Sequence, residues 1–199
     1  LIQKAIFMQF SNSGYYLRHK GFTLIETIVG MVVLAISFSV LTTLIHPVAQ
    51  QSADQLHQVK AAELAQSVLN EIQNKAFDEN SDMAGGRVRC GETDADDCST
   101  TMGYEGAETR ATFNDVDDYN DLEYGSLYGK SDIENSQGLA IALYLGYSMR
   151  ISVCNDASYD GSCPNDISKV ATSVAKLITV TITTPTDFSM SFSTYRANF

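Results

Sequence analysis

Between Leu24 and Ile45 the chain reads LIETIVGMVVLAISFSVLTTLI, 22 residues with one charge, that of Glu26. As a helix this run extends about 33 Å at about 1.5 Å per residue, enough to cross a bilayer's hydrocarbon. A chain that carries it must place it in lipid or cover it with other apolar helices. Glu26 is the difficulty, because an ionised carboxylate near mid-membrane costs roughly 2.5–3.5 kcal/mol even on lenient scales. It requires a compensating cation. Arg18 and Lys20 stand just before the run, and the next basic residue is Lys60. That asymmetry puts the N-terminus in the cytoplasm and the remainder across the membrane. The run exceeds the ~7–15-residue core of a secretory signal, and no A-x-A cleavage site follows it. It reads as a retained anchor. Met8 is a candidate natural start, and residues 1–7 (LIQKAIF) are given no structural weight.

Charge narrows the function classes. From Phe22 onward the chain holds 10 Lys and Arg against 24 Asp and Glu, a formal −14, with 16 acidic and 4 basic residues in 78–134. Such a surface repels phosphate backbones, which argues against nucleic-acid binding. The only histidines are His19, His46 and His57. An outer domain without imidazole cannot build Ser-His-Asp, Cys-His or H-E-x-x-H chemistry. A carboxylate pair could serve glycoside hydrolysis, but nothing singles out two among the acidic loops, so the chain is read as a non-enzyme, and no cofactor is implied. His46 and His57 read as surface histidines at a helix boundary.

Beyond Ile45, Leu56, Val59, Ala62, Ala65, Leu69, Ile72 and Ala76 recur at helical spacing, predicting one apolar face. The helix is expected to continue from the apolar segment (22–46) through an amphipathic half (47–77), with Pro47 kinking it around Thr43–Pro47. Residues 78–199 form the globular domain. Its first part, 78–137, is rich in Gly, Asp, Asn and Ser and reads as loop. In 139–196, three stretches alternate with period two: Tyr147, Met149, Ile151, Val153; Ile178, Val180, Ile182; and Phe188, Met190, Phe192. The last two flank TPTD (184–187) and predict a hairpin. LAIALYL (139–145) reads as a further strand, with helix as its rival. One apolar helical stripe and one apolar sheet face predict an α+β class, a long helix packed on an antiparallel sheet.

The cysteines fall in two close pairs. Four cysteines allow three connectivities, and the short turn-rich separations favour Cys90–Cys98 and Cys154–Cys163, as expected across the membrane in an oxidising compartment. Seven and eight intervening residues exceed the two to four usual within a zinc pair. The run NDVDDYND makes Asp115, Asp117 and Asp118 calcium candidates, although Tyr119 stands where an EF-hand loop needs Asp or Asn. A solvated acidic loop is the commoner reading. Tyr119, Tyr124, Tyr128, Tyr144 and Tyr147 invite a carbohydrate patch, but packing beneath a loop is the plainer account.

The stretch KGFTLIE followed by an apolar run resembles the N-terminus of a type IV prepilin. The resemblance implies a leader of 1–21, cleavage between Gly21 and Phe22 by a prepilin peptidase, and N-methylation of Phe22. It also implies a partner for Glu26, the amine freed at Phe22 of its own or a neighbouring subunit, so that Glu26 guides registration during assembly. ELAQSVLNEIQNKAFDENSD and FNDVDDYNDL are similar to minor pilins of the mannose-sensitive haemagglutinin (MSHA) type pilus of Gram-negative bacteria. That implies an inner-membrane protein with one span and a periplasmic C-terminal domain, later part of the filament or its tip. The partners implied are major and minor pilins, the prepilin peptidase and the inner-membrane assembly platform. A type II secretion pseudopilin and a membrane-anchored surface binding domain are the alternatives.

Overall fold

A computed structural model describes residues 21–83, 87–163 and 174–199, with backbone alone over 44–50. The leader before Gly21 and the side chain of His46 thus lie outside the described residues. The chain divides into two compact units, Leu1–Ala49 and Gln50–Phe199. A single helix, α1, is assigned over Leu24–Gln73 and remains helical through Pro47. The kink expected at Thr43–Pro47 falls where the units meet and is not described.

In the first unit, Leu24–Thr43 is long and apolar enough to cross a membrane, and none of it is buried within the chain. Its few hydroxyls are turned back onto the helix. Thr27 Oγ1 donates to the Leu24 carbonyl at 2.8 Å, Ser37 Oγ to Val33 at 2.8 Å and Thr43 Oγ1 to Val40 at 2.8 Å. Each of these three hydroxyls is satisfied without water, as hydrocarbon demands.

In the second unit, α1 packs on a four-stranded antiparallel sheet in the order β1-β2-β3-β4: β1 Glu123–Tyr124, β2 Ser148–Asn155, β3 Ala175–Thr183 and β4 Ser189–Ala197. The sheet is open, and the architecture is pilin-like. The expected alternation holds in β2 and β3, where Met149, Ile151, Val153, Ile178, Val180 and Ile182 all enter the core. The opposite face carries hydroxyl pairs across β3 and β4: Thr179–Ser193 at 2.9 Å, Thr181–Ser191 at 2.8 Å and Thr183–Ser189 at 3.1 Å. In β4, Met190 and Phe192 pack against the core, but Phe188 lies in the turn and is 44% exposed.

Three expectations are corrected. The buried stripe of α1 is Ala61, Leu64, Ala65, Val68, Leu69 and Ile72, while Leu56 and Val59 are each 57% exposed. The two stripes share Ala65, Leu69 and Ile72, and the packed one bends towards the side that carries Leu64 and Val68. The helix also ends at Gln73, short of Phe77. Asn74 Nδ2 caps the Asn70 carbonyl at 2.7 Å, and Ala76 then pairs with the 114–116 backbone, its N–H to Asn114 O at 3.2 Å. Finally, LAIALYL is neither strand nor helix. It makes a short 3-10 turn at Ala142–Tyr144, and the remaining strand is instead β1, inside the segment read as loop. Gly125 admits that strand: at φ 92° a Cβ would lie 2.5 Å from the Tyr147 carbonyl. Four of the five tyrosines follow the packing account, Tyr119, Tyr124, Tyr144 and Tyr147 lying in the core, while Tyr128 is half-buried outside it. His57 Nδ1 meets Tyr147 Oη at 2.7 Å.

Candidate functional site

Gly21, Phe22 and Thr23 are non-helical and exposed, and α1 begins at Leu24. Thr23 occupies the capping position. Its Oγ1 accepts the Glu26 N–H at 3.3 Å, and its carbonyl accepts the Thr27 N–H at 3.2 Å. T-L-I-E is thus the sequence form of a capping box, a signal that composition and hydropathy alone pass over. Glu26 lies in the first turn, where the helix dipole favours a negative charge. Phe22 and Leu24 are each 80% exposed, so the head of the helix offers apolar surface and one carboxylate together. A cation created at the Phe22 nitrogen would stand about one helical turn from that carboxylate.

A second constellation lies beyond the end of α1. Lys176 is fully buried. Its Nζ donates to the Phe77 carbonyl at 2.7 Å, pairs with Asp78 Oδ2 at 3.2 Å and with Asp117 Oδ1, and sits 4.5 Å from the Phe77 ring centroid. Asp78 also accepts the Ser99 N–H at 2.9 Å, which draws in the loop closed by the Cys90–Cys98 disulfide. The other disulfide, Cys154–Cys163, starts within β2. Lys176 therefore joins the end of α1, the first disulfide loop and β3.

The calcium candidates are not on a solvated face. Asp115, Asp117 and Asp118 are fully buried, because Val116 and Tyr119 beside them plug the core and carry the turn inward. Only Asp117 turns to Lys176. Asp115 shares a possible ligand group with Glu79 and Glu105, and Asp118 with Glu105 and Glu108, the oxygens in each group within 4.8 Å of one another. Burial, then the charges of Asp115, Asp118, Glu108 and Glu79, push the Glu105 carboxyl up to about 7. Burial and then Asp118 push Asp115 up to about 6, with Lys176 pulling it back. Burial pushes Asp117 up to about 7 against the pull of Lys176. Sequence reasoning missed Lys176, Glu105 and Glu108, which come from two separate stretches and reach the acidic turn only through the fold.

Nearby, Arg110 grips Glu71 with Nη1 to Oε1 at 2.6 Å and Nη2 to Oε2 at 2.7 Å, and Tyr119 Oη donates to Glu71 Oε1 at 2.8 Å. Burial pushes the Glu71 carboxyl up, but the hydrogen bonds from Arg110 and Tyr119 and the charge of Arg110 hold it below the usual range. This triad fastens the 110–119 segment to α1.

Residues 17–42 match the prokaryotic N-terminal methylation motif. No curated protein and no solved structure matches the chain. The chain carries a prepilin-like N-terminal methylation motif at the head of a pilin-like α+β fold, with one segment among the described residues able to span a membrane.

Proposed function

We propose that the chain is a minor pilin of a type IV, MSHA-type pilus, of the kind of MshD, and acts as a structural subunit in pilus priming or assembly. The observation that supports the prepilin part of this reading is the methylation motif over 17–42, with Glu26 in the first turn of an exposed apolar helix; the MSHA type rests on the resemblance of ELAQSVLNEIQNKAFDENSD and FNDVDDYNDL. In this reading the precursor sits in the inner membrane with its C-terminal domain in the periplasm. The prepilin peptidase adds water across the Gly21–Phe22 amide, leaving a carboxylate on Gly21 and an amine on Phe22, which is then methylated. Before cleavage that nitrogen is an uncharged amide. Afterwards it is a cation one turn from Glu26, and the helix enters a filament core in which the two charges cancel. Glu26 then sets register, since a misplaced helix leaves a lone charge in a low-dielectric core. The partners are major and minor pilins and the inner-membrane assembly platform.

Gly21→Ala tests the reading. A Cβ at Gly21 has nothing within 4 Å, so the fold accepts it. The variant is expected to accumulate as precursor in the membrane and to vanish from sheared filaments. Processing and shearing like the wild type would overturn the reading. Loss of surface pili on deleting the protein, with type II export intact, is the outcome expected of a pilus subunit rather than a secretion pseudopilin.

A further inference from the structure

We propose that the acidic loops beyond the end of α1 form a calcium site, with Glu79, Glu105, Glu108, Asp115 and Asp118 as its ligands. The carboxylate oxygens of Glu79, Glu105 and Asp115 lie within 4.8 Å of one another, as do those of Glu105, Glu108 and Asp118, with Glu105 common to both groups. Calcium–oxygen bonds run about 2.3–2.6 Å, so oxygens up to roughly 5 Å apart can share one ion. Magnesium, at about 2.0–2.1 Å and strictly octahedral, asks for a tighter cage.

Proximity of acids alone would prove little. The second observation is what the buried ones lack. Asp115 and Asp118 are fully buried, and each has one oxygen fixed by the backbone: Asp115 Oδ1 accepts the Asp117 N–H at 2.7 Å, and Asp118 Oδ2 accepts the Asn114 N–H at 2.8 Å. Their other oxygens, Asp115 Oδ2 and Asp118 Oδ1, are buried with no hydrogen-bond donor, and so is Glu105 Oε2. A desolvated carboxylate oxygen without a partner is strongly unfavourable. The nearby described cations are engaged elsewhere: Lys176 with Phe77, Asp78 and Asp117, Lys75 with the Phe113 carbonyl, and Arg110 with Glu71. Five carboxylates on irregular loops, three of them holding bare buried oxygens, suit a hard divalent ion with a flexible shell. Asp117 takes no part, because it belongs to neither group of converging oxygens and its Oδ1 pairs with Lys176. The ion would tie residue 79, the 105–108 loop and the 115–118 turn together. The site is independent of the pilin reading.

The test is calorimetric titration of the full chain in detergent, stripped with chelator, against calcium chloride and magnesium chloride. Calcium is expected to bind with stoichiometry near one and a Kd of about 10⁻³ M or tighter, in the range of extracellular modules, and to raise the melting temperature. Magnesium is expected at least about tenfold weaker. Glu105→Gln, with unchanged circular dichroism, should weaken calcium binding at least about tenfold. Glu79→Gln, at an exposed ligand, should weaken it too and stands in if the first variant misfolds. Glu92→Gln, in the Cys90–Cys98 loop, should bind like the wild type. No heat and no melting shift up to ~10 mM calcium would overturn the proposal. So would wild-type affinity in both Glu105→Gln and Glu79→Gln.

Discussion

Replacing Lys176 with methionine is expected to bring the globular unit close to unfolding. The side chain keeps its volume but loses the ammonium that pairs with Asp78 and Asp117, both of which are fully buried. Removing one partner of a buried ion pair costs about 3–5 kcal/mol, because the abandoned charge stays in a low-dielectric interior. That is a large share of the roughly 5–15 kcal/mol that holds a domain folded. The melting temperature should fall by roughly 6–20 °C. The loss is not the worth of the pair itself, and a second variant separates the two. In Lys176→Met with Asp78→Asn and Asp117→Asn no buried charge is abandoned, so most of the stability should return. Thermal melting of the full chain in detergent reads both. A single variant within ~0.5 kcal/mol of the wild type would remove Lys176 from its place as the joint of the fold.

The second large effect concerns Glu26. Glu26→Ala is expected to leave the outer domain folded and to reduce incorporation into filaments about a hundredfold. A lone amine in an apolar core costs about 3 kcal/mol, and each 1.4 kcal/mol is a factor of ten. The T-L-I-E sequence supplies a competing account, in which the Glu26 carboxylate reaches back to the Thr23 N–H and completes a capping box whose other half, Thr23 Oγ1 accepting the Glu26 N–H, is present. Glu26→Gln separates the two. Glutamine serves the box as well as glutamate does, but it carries no charge to neutralise an amine. Filament yield in Glu26→Gln should fall as in Glu26→Ala. If Gln assembles normally and Ala does not, Glu26 is a helix cap and the charge-pairing account fails.

Periodicity carried much of the fold into view. Period two in 147–153 and 178–182 marks β2 and β3 correctly, since a strand with one buried face has little freedom in which residues it hides. Lys176 has the parity of Ile178, Val180 and Ile182, which places a lysine on the core face and implies a buried partner. The helix stripe was harder to place, because alanines sit on both sides of it and weigh little in either reading. LAIALYL misled for a different reason: its apolar residues are split by the turn at 142–144, and Leu143 and Leu145 are more than half exposed. The acidic turn at 115–118 was hidden most deeply. Its burial depends on Val116 and Tyr119 entering a core whose other walls come from α1 and the sheet, and no local pattern announces that. At the N-terminus the position was reversed, since GFTLIE and the apolar run that follows it lie contiguous in the chain.

The account turns on a positive charge that exists only after hydrolysis at Gly21–Phe22. Mass spectrometry of the N-terminal peptide, from protein taken out of its native membrane, tests this most directly. The expected result is a mature chain beginning at Phe22 with one methyl group on its amine. A mature chain that begins upstream of Phe22, its leader still attached, would contradict it.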